Sequence, residues 1–289
     1  MNKYRLIVDS SCDLPISFIE KYNIKIDNLI ISFNDRQYAD RKDITASEVI
    51  ALVEKNKVYP KTSTTNIPDL ESLFQNELKD YEHIFFLTMS SLLSSLNNNA
   101  HIAIKDLGFE EKVTVLDSES ISAGIGLLAI AISEDINKNL SVEEIVKNHY
   151  ERVNKVSLSS TIDSMDFLYR GGRCSGLSYL IGNKLNIHPI VKMENGKMTV
   201  HTLVRGSSIK KGIKKMCEEF MTEFKNDNID FSYPILIPEV MGEKGAKKIK
   251  KILDGVVGKN ILMPFESSGT TACHSGKNTV GLSYMLKRN

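Results

Sequence analysis

Three short apolar runs in the first half of the chain end in side-chain hydroxyls. They are Leu6-Ile7-Val8 before Asp9-Ser10-Ser11, Ile84-Phe85-Phe86-Leu87 before Thr88-Met89-Ser90-Ser91, and Val113-Thr114-Val115-Leu116 before Asp117-Ser118. Read as strands, they occupy residues 4–8, 83–88 and 112–116, and another run gives a strand at 28–33. Helical stretches fall at 15–21, 45–56, 68–79, 92–106, 122–137 and 141–153. Thr45-Ala46-Ser47-Glu48 and Ser141-Val142-Glu143-Glu144 have capping-box spacing, and Asp13 with Pro15 in the first turn marks the start of the first helix. Strands alternating with helices predict a mostly parallel sheet with helices on both faces.

The pattern changes after residue 155. A strand at 156–161 and a helix at 165–169 lead into Gly171-Gly172-Arg173, which breaks the chain before a helix at 177–185. Two extended runs, 187–193 and 198–204, meet at Glu194-Asn195-Gly196-Lys197, where Asn-Gly predicts a hairpin. A lysine-rich helix at 208–225, a strand at 233–239, a helix at 242–253 and a strand at 260–264 follow. Antiparallel pairing sets this half apart as an α+β domain with a mixed sheet. The reading is an α/β protein of two domains, 1–155 and 156–289, and 289 residues are enough for both.

A net charge of +1 argues against general nucleic-acid binding, which needs a strongly basic face. The lysines from Lys210 to Lys251 recur on the exposed sides of two helices. They read as a solvated face, with transient contact to an anionic membrane or partner surface as the alternative. Met1 to Val8 run straight into a strand without a signal-peptide core, and the longest apolar stretch, 121–132, is too short to span a bilayer. Cys12, Cys174, Cys217 and Cys273 are scattered without a C-x-x-C pair, so reduced thiols in a cytoplasmic protein are expected and a zinc site is not.

The candidate chemistry lies in the hydroxyls. Ligands of open α/β sheets bind beyond the carboxyl ends of the strands, where successive loops converge. Several such ends carry Ser and Thr here, and Thr62-Ser63-Thr64-Thr65 adds a hydroxyl run after a polar lead-in. Together they predict a cradle for an oxygen-rich head group, and binding before catalysis. Ser10, Ser11, Ser90 and Ser91 have helix capping as an equal role, and Asp117 is read as organising its loop. Gly124-Ile125-Gly126-Leu127-Leu128-Ala129 matches a dinucleotide fingerprint, but it lies outside the tight turn after a strand and is read as helix–helix packing. Gly276-Lys277-Asn278-Thr279 lacks the upstream glycine of a P-loop. A Ser–His–Asp lipid hydrolase can be drawn from Ser94, His274 and Asp9 or Asp117, without a G-x-S-x-G elbow. No cofactor is expected.

Six motifs in order along the chain carry a resemblance. Asp9-Ser10-Ser11-Cys12-Asp13-Leu14-Pro15, Lys61-Thr62-Ser63-Thr64-Thr65 and Ser90-Ser91-Leu92-Leu93-Ser94 are the first three. Leu116-Asp117-Ser118, Phe167-Leu168-Tyr169-Arg170-Gly171-Gly172-Arg173 and Gly182-Asn183-Lys184-Leu185-Asn186-Ile187-His188-Pro189-Ile190 complete the set. They resemble the signatures of the DegV family of bacterial fatty-acid-binding proteins. That resemblance implies one long-chain fatty acid held between two domains, its acyl chain in an apolar tunnel and its carboxyl at the first domain's sheet edge. Family members of known role present the acid to a separate fatty-acid kinase, which makes the acyl phosphate for lipid synthesis.

Carried across by motif, the carboxyl contacts fall on Thr62 and Ser94, with His274 nearby. Ser10, Ser11, Ser63, Ser91, Asp117 and Ser118 furnish the supporting loops, and Arg173 is the cation expected to face the kinase. For His274 to arrive there, the final segment has to return to the first domain. The chain departs from the family pattern at Ser95-Leu96, where Gly-Thr is usual, and at His274-Ser275-Gly276-Lys277-Asn278, where His-Thr-Gly-Pro-Gly is usual.

Overall fold

The computed structural model describes residues 2–172, 187–258 and 261–287. In chain order the elements begin with β1 (Asn2–Asp9), a 3-10 turn (Ser10–Cys12), α1 (Ile16–Lys21), β2 (Lys25–Asp27), β3 (Ile30–Phe33) and β4 (Arg36–Ala39). Next come α2 (Ala46–Asn56), β5 (Lys61–Ser63), α3 (Ile67–Glu77), β6 (Tyr81–Thr88), α4 (Leu96–Leu107), β7 (Val113–Asp117), α5 (Ala123–Asn137) and α6 (Val142–Val153). Then follow β8 (Val156–Thr161), α7 (Asp166–Arg170), β9 (Ile187–Glu194), β10 (Lys197–Arg205), α8 (Lys210–Lys225) and β11 (Ile235–Val240). The last are α9 (Glu243–Leu253), β12 (Leu262–Glu266), α10 (Gly269–Ser275) and β13 (Thr279–Met285). The helix expected at 177–185 lies outside the described residues.

A parallel sheet of order β2-β1-β6-β7 is the first core. Its strands are unbroken apolar runs because both faces are buried. Ile7, Ile84 and Phe86 pack with α3 and α4, while Leu6, Val8, Phe85 and Leu87 pack with α5. Helix α5 is apolar all round, and such a helix has to be enclosed. Its other side meets Leu236 of β11 and Met285 of β13. Those strands belong to a mixed sheet of order β10-β9-β8-β13-β11-β12, parallel only between β11 and β12. The amphipathic helices α8 and α9 cover its far face through Met216, Phe220, Ile249 and Leu253. Among the described residues, no helix is long and apolar enough to cross a membrane.

The local signals with a mechanism behave as expected. Thr45 and Ser141 both close capping boxes, with Glu48 and Glu144. Asn195 and Gly196 take φ of 50° and 74° and close the β9–β10 hairpin.

Four expectations are corrected. The strand at 28–33 does not join the parallel sheet. Its Ile30–Phe33 portion pairs antiparallel with β4 and β5 in a separate three-stranded sheet, because Asn34 and Asp35 turn the chain straight back on itself. Asp13 does not cap α1, which starts at Pro15 without a side-chain cap. Helix α4 starts at Leu96 and not at 92, since the N–H groups of Leu93 and Ser94 turn back to the Ser90 carbonyl. The glycines of α5 serve close approach to loops and not to a helix: a Cβ at Gly126 would stand 2.8 Å from the Cys12 carbonyl oxygen, and one at Gly124 only 2.0 Å from Ser120 Oγ.

Candidate functional site

The register of the parallel sheet brings Asp9 beside Asp27, and Thr88 beside Asp117, at its carboxyl edge. The loops leaving that edge, strand β5, the mixed sheet and α10 enclose a cavity of about 970 Å³, its open mouth included. Leu29, Met89, Leu93, Ile121, Ile162, Leu168, Val191 and Met198 give it apolar walls. Thr62, Ser63, Ser94, Ser122, Thr270 and Thr271 are among the hydroxyls that interrupt them. None of its described lining residues is Asp, Glu, Lys or Arg, and His274 is the one histidine among them.

Thr62 sits on β5 opposite Ile31, so its side chain is held by the small antiparallel sheet. His274 lies in the last turn of α10, a helix packed on α2 through Ala272 and Cys273. Thr62 Oγ1 and His274 Nε2 share a hydrogen bond of 2.9 Å across 212 positions of sequence. The final segment therefore does return to the first half of the chain. The Phe167–Arg173 motif makes room for it: a Cβ at Gly171 would stand 2.3 Å from His274 Nδ1. Arg173 itself lies outside the described residues.

Ser94 lines the same cavity, and its Oγ accepts from the Leu96 N–H at 3.2 Å. Ser11 and Ser63 also face the cavity. Ser11 donates to Asp9 through both its N–H and its hydroxyl. Ser10, Asp117 and Ser118, and Ser90 beside them, are engaged in the loops themselves. Ser10 Oγ donates to Asp40 Oδ2 at 2.7 Å and accepts from Leu29 N–H. Ser118 Oγ accepts from Ser120 N–H at 3.1 Å, within its own turn. Asp117 accepts from the N–H groups of Ser91 and Glu119, and so joins the loops after β6 and β7. Ser90 reaches furthest, donating to the Gly196 carbonyl at the hairpin tip at 2.6 Å. None of these serines caps a following α-helix; α4 starts from Ser95.

Electrostatics follow burial. Desolvation pushes the Asp9 carboxyl up to about 6, against the hydrogen bonds from Ser11 and Met89. Asp27 is likewise raised to about 6 by burial, with Thr65 opposing, and burial raises Asp40. His149 is driven down to about 4 by burial, so it is neutral and donates from Nε2 to the Asp117 carbonyl. Burial also raises the thiols of Cys12, Cys217 and Cys273, which are unbridged and unreactive at neutral pH.

This division of partners speaks against a hydrolase. The Asp9 carboxylate is taken up by Ser11 and Met89, and that of Asp117 by Ser91 and Glu119. His274 Nε2 faces Thr62 and not Ser94. Lys277, the lysine of the P-loop-like stretch, is paired with Glu54 at 2.7 Å. The sequence did not single out the hydroxyls arriving from the second half, Ser160, Ser267, Thr270, Thr271 and Thr279. The run Ser267-Ser268-Gly269-Thr270-Thr271 just before His274 was the available signal.

The DegV family model, described as "Uncharacterised protein, DegV family", matches residues 3–287. The chain belongs to the DegV family. A DegV domain-containing protein of Clostridium acetobutylicum is 32% identical over 287 residues, covering 98% of both chains. The DegV lipid-binding protein of Thermotoga maritima is similar in structure with a TM-score of 0.80 at 25% identity, over 99% of each chain. The fatty-acid-binding DegV family protein of Thermus thermophilus shares the fold with a TM-score of 0.86 at 22% identity, over 98% of this chain and 100% of its own. The α/β architecture, with a parallel first sheet and a mixed second one, is thus that of DegV proteins.

Proposed function

We propose that this DegV protein is a carrier for a long-chain fatty acid and does not transform it. The carboxyl would lie among Thr62, Ser94 and His274, and the acyl chain along the apolar walls. The observation that carries this reading is the cavity itself: hydroxyls and one imidazole in an apolar enclosure whose described lining holds no charged side chain. The lipid and fatty-acid binding of the Thermotoga and Thermus proteins supports it. Residues 1–155 would supply the head-group side, with residues 156–289 covering the chain and returning α10. The setting would be cytoplasmic, in keeping with three buried, unbridged cysteines.

Mass spectrometry of an organic extract of the purified protein tests the ligand class. A stoichiometric fatty acid is expected; an ester turned over on incubation would favour a hydrolase. Thr62→Ala with Ser94→Ala should lose the acid while keeping the fold, and undiminished affinity would move the head group elsewhere. The further step is presentation to a separate fatty-acid kinase through Arg173, whose guanidinium suits a phosphate or carboxylate of the partner. Arg173→Ala should leave lipid titrations unchanged and depress a coupled phosphorylation assay. Lost lipid binding with normal phosphorylation per bound lipid would refute that role.

A further inference from the structure

Two aspartates, Asp13 and Asp40, are fully buried beside the start of α10. Asp13 Oδ1 accepts from the Ser268 N–H at 2.6 Å, and Asp40 Oδ1 accepts from the Gly269 N–H at 2.8 Å. The first N–H groups of a helix have no partner within it. Here both are met by carboxylates from sequence positions 255 and 229 residues away. Each acid is braced on its other oxygen by a buried serine, Asp13 by Ser122 at 2.6 Å and Asp40 by Ser10 at 2.7 Å.

Burying carboxylates is costly, and apolar packing would hold a helix end at less expense in free energy. Asp13 and Ser122 also sit at φ of 36° and 52°, conformations that non-glycine residues keep only where their surroundings over-determine them. Helix α10 has seven residues, too few to orient itself without its neighbours. His274 is five residues beyond Gly269, roughly 7 Å along the axis. A tilt at the first turn would therefore move the imidazole by enough to open its 2.9 Å bond to Thr62.

We infer that Asp13 and Asp40 are positioning residues of the head-group site, clamping the first turn of α10 so that His274 stands opposite Thr62. The clamp joins the loop after β1, the start of α5 and the end of β4 to the helix that carries the imidazole. Packing on α2 keeps α10 attached without the clamp, and the two carboxylates add directed bonds at its first turn. The lipid arm of the test rests on the proposed role of His274 and Thr62; the imidazole arm does not.

The test uses the full chain carrying Asp40→Ala, Asp13→Ala, His274→Ala and the pairwise combinations with His274→Ala. Without lipid, long-range proton–nitrogen spectra of the His274 ring should change in both aspartate variants as they do in Thr62→Val. With hexadecanoate, each aspartate variant should bind about tenfold or more weakly, while in the His274→Ala background the same change should alter affinity less than twofold. Such non-additivity marks residues acting through one another. Hexadecan-1-ol binding should be unaffected throughout. If an alanine variant does not fold, Asp40→Asn or Asp13→Asn is read by the same criteria, with smaller shifts in the same direction. An unmoved imidazole, or a full tenfold loss on top of His274→Ala, overturns the clamp. If His274→Ala alone binds hexadecanoate normally, the head-group reading falls, and the clamp stands or falls on the imidazole spectra alone.

Discussion

Thr62→Val is the sharpest single perturbation of the proposed site. Valine keeps the volume and the β-branching that suit β5, where residue 62 pairs with Ile31. Only the hydroxyl is removed, and with it the 2.9 Å bond to His274 Nε2. In the lipid-free protein that loss should cost about 0.5–1.5 kcal/mol of stability, the net worth of one neutral hydrogen bond. In the complex the lost partner is a charged carboxyl, where such a bond contributes about 1.5–3 kcal/mol. The affinity for hexadecanoate should fall by the difference, about 1–1.5 kcal/mol, or roughly 5- to 13-fold. Hexadecan-1-ol, bound by the same apolar walls without a charge, should lose no more than about 1 kcal/mol. Calorimetric titration with both lipids, beside a urea titration of the free protein, separates head-group loss from loosened structure. Equal losses for acid and alcohol, or no loss for the acid, would refute the placement of the carboxyl at Thr62.

Three further outcomes follow from particular contacts. Gly171→Ala would drive a Cβ to 2.3 Å from His274 Nδ1, so it should displace the ring and weaken hexadecanoate about as much as Thr62→Val; unchanged binding would show that the ring position does not matter. Burial holds the Asp27 carboxyl at about 6 against an ordinary 3.8, so the folded state binds that proton more tightly than the unfolded chain does. Stability from this group is present below pH 4 and declines by about 3 kcal/mol as pH rises through 6, so Asp27→Asn should gain on the parent protein between urea titrations at pH 4 and pH 7. The buried Arg152 guanidinium pairs bidentately with Asp135, so Arg152→Leu should cost about 3–5 kcal/mol in chemical denaturation, and adding Asp135→Leu should restore most of it.

The legible parts of this fold are those set by short-range physics. The apolar runs of β1, β6 and β7, the two capping boxes and the Asn195-Gly196 hairpin each declare themselves within a few residues. Strand β13 does so only in part. Its Val280, Leu282 and Tyr284 alternate with Thr279, Gly281 and Ser283, the pattern of a strand with one face exposed, yet it is buried along its whole length at the centre of the mixed sheet. Gly281 is needed there because a Cβ would meet Pro238 at 2.8 Å, a reason no local window contains.

The site divides in the same way. The hydroxyl types were visible at strand ends, and the family motifs supplied their order, but the Thr62–His274 contact depends on α10 packing back on α2. Asp13 shows the limit most clearly. Locally it reads as a helix cap three residues before a helix; in the structure its carboxylate holds a backbone N–H 255 positions away. Short polar side chains serve near and distant partners equally well, so their type alone does not say which.

Why a carrier would use hydroxyls and not a lysine or arginine follows from the size of the two contributions. On the proposed reading, burying roughly fourteen methylenes at about 0.8 kcal/mol each gives a gross driving force near 11 kcal/mol, before ordering costs. Each hydrogen bond to the carboxyl adds only about 1.5–3 kcal/mol, much of it replacing lost hydration. The tail thus sets the affinity, and the head group sets the discrimination: two such bonds already separate acid from alcohol by roughly a hundredfold or more. A buried cation would add to both, but separating a buried ion pair costs about 3–5 kcal/mol, and that barrier would stand in the way of every hand-over. Neutral donors around an accessible carboxyl let a partner take hold of one oxygen while the chain is still seated. The absence of charge from the described cavity lining is what that compromise requires, and introducing one should expose it: Ser94→Lys would bind hexadecanoate more tightly yet slow its phosphorylation, whereas faster transfer from the tighter complex would sink the argument.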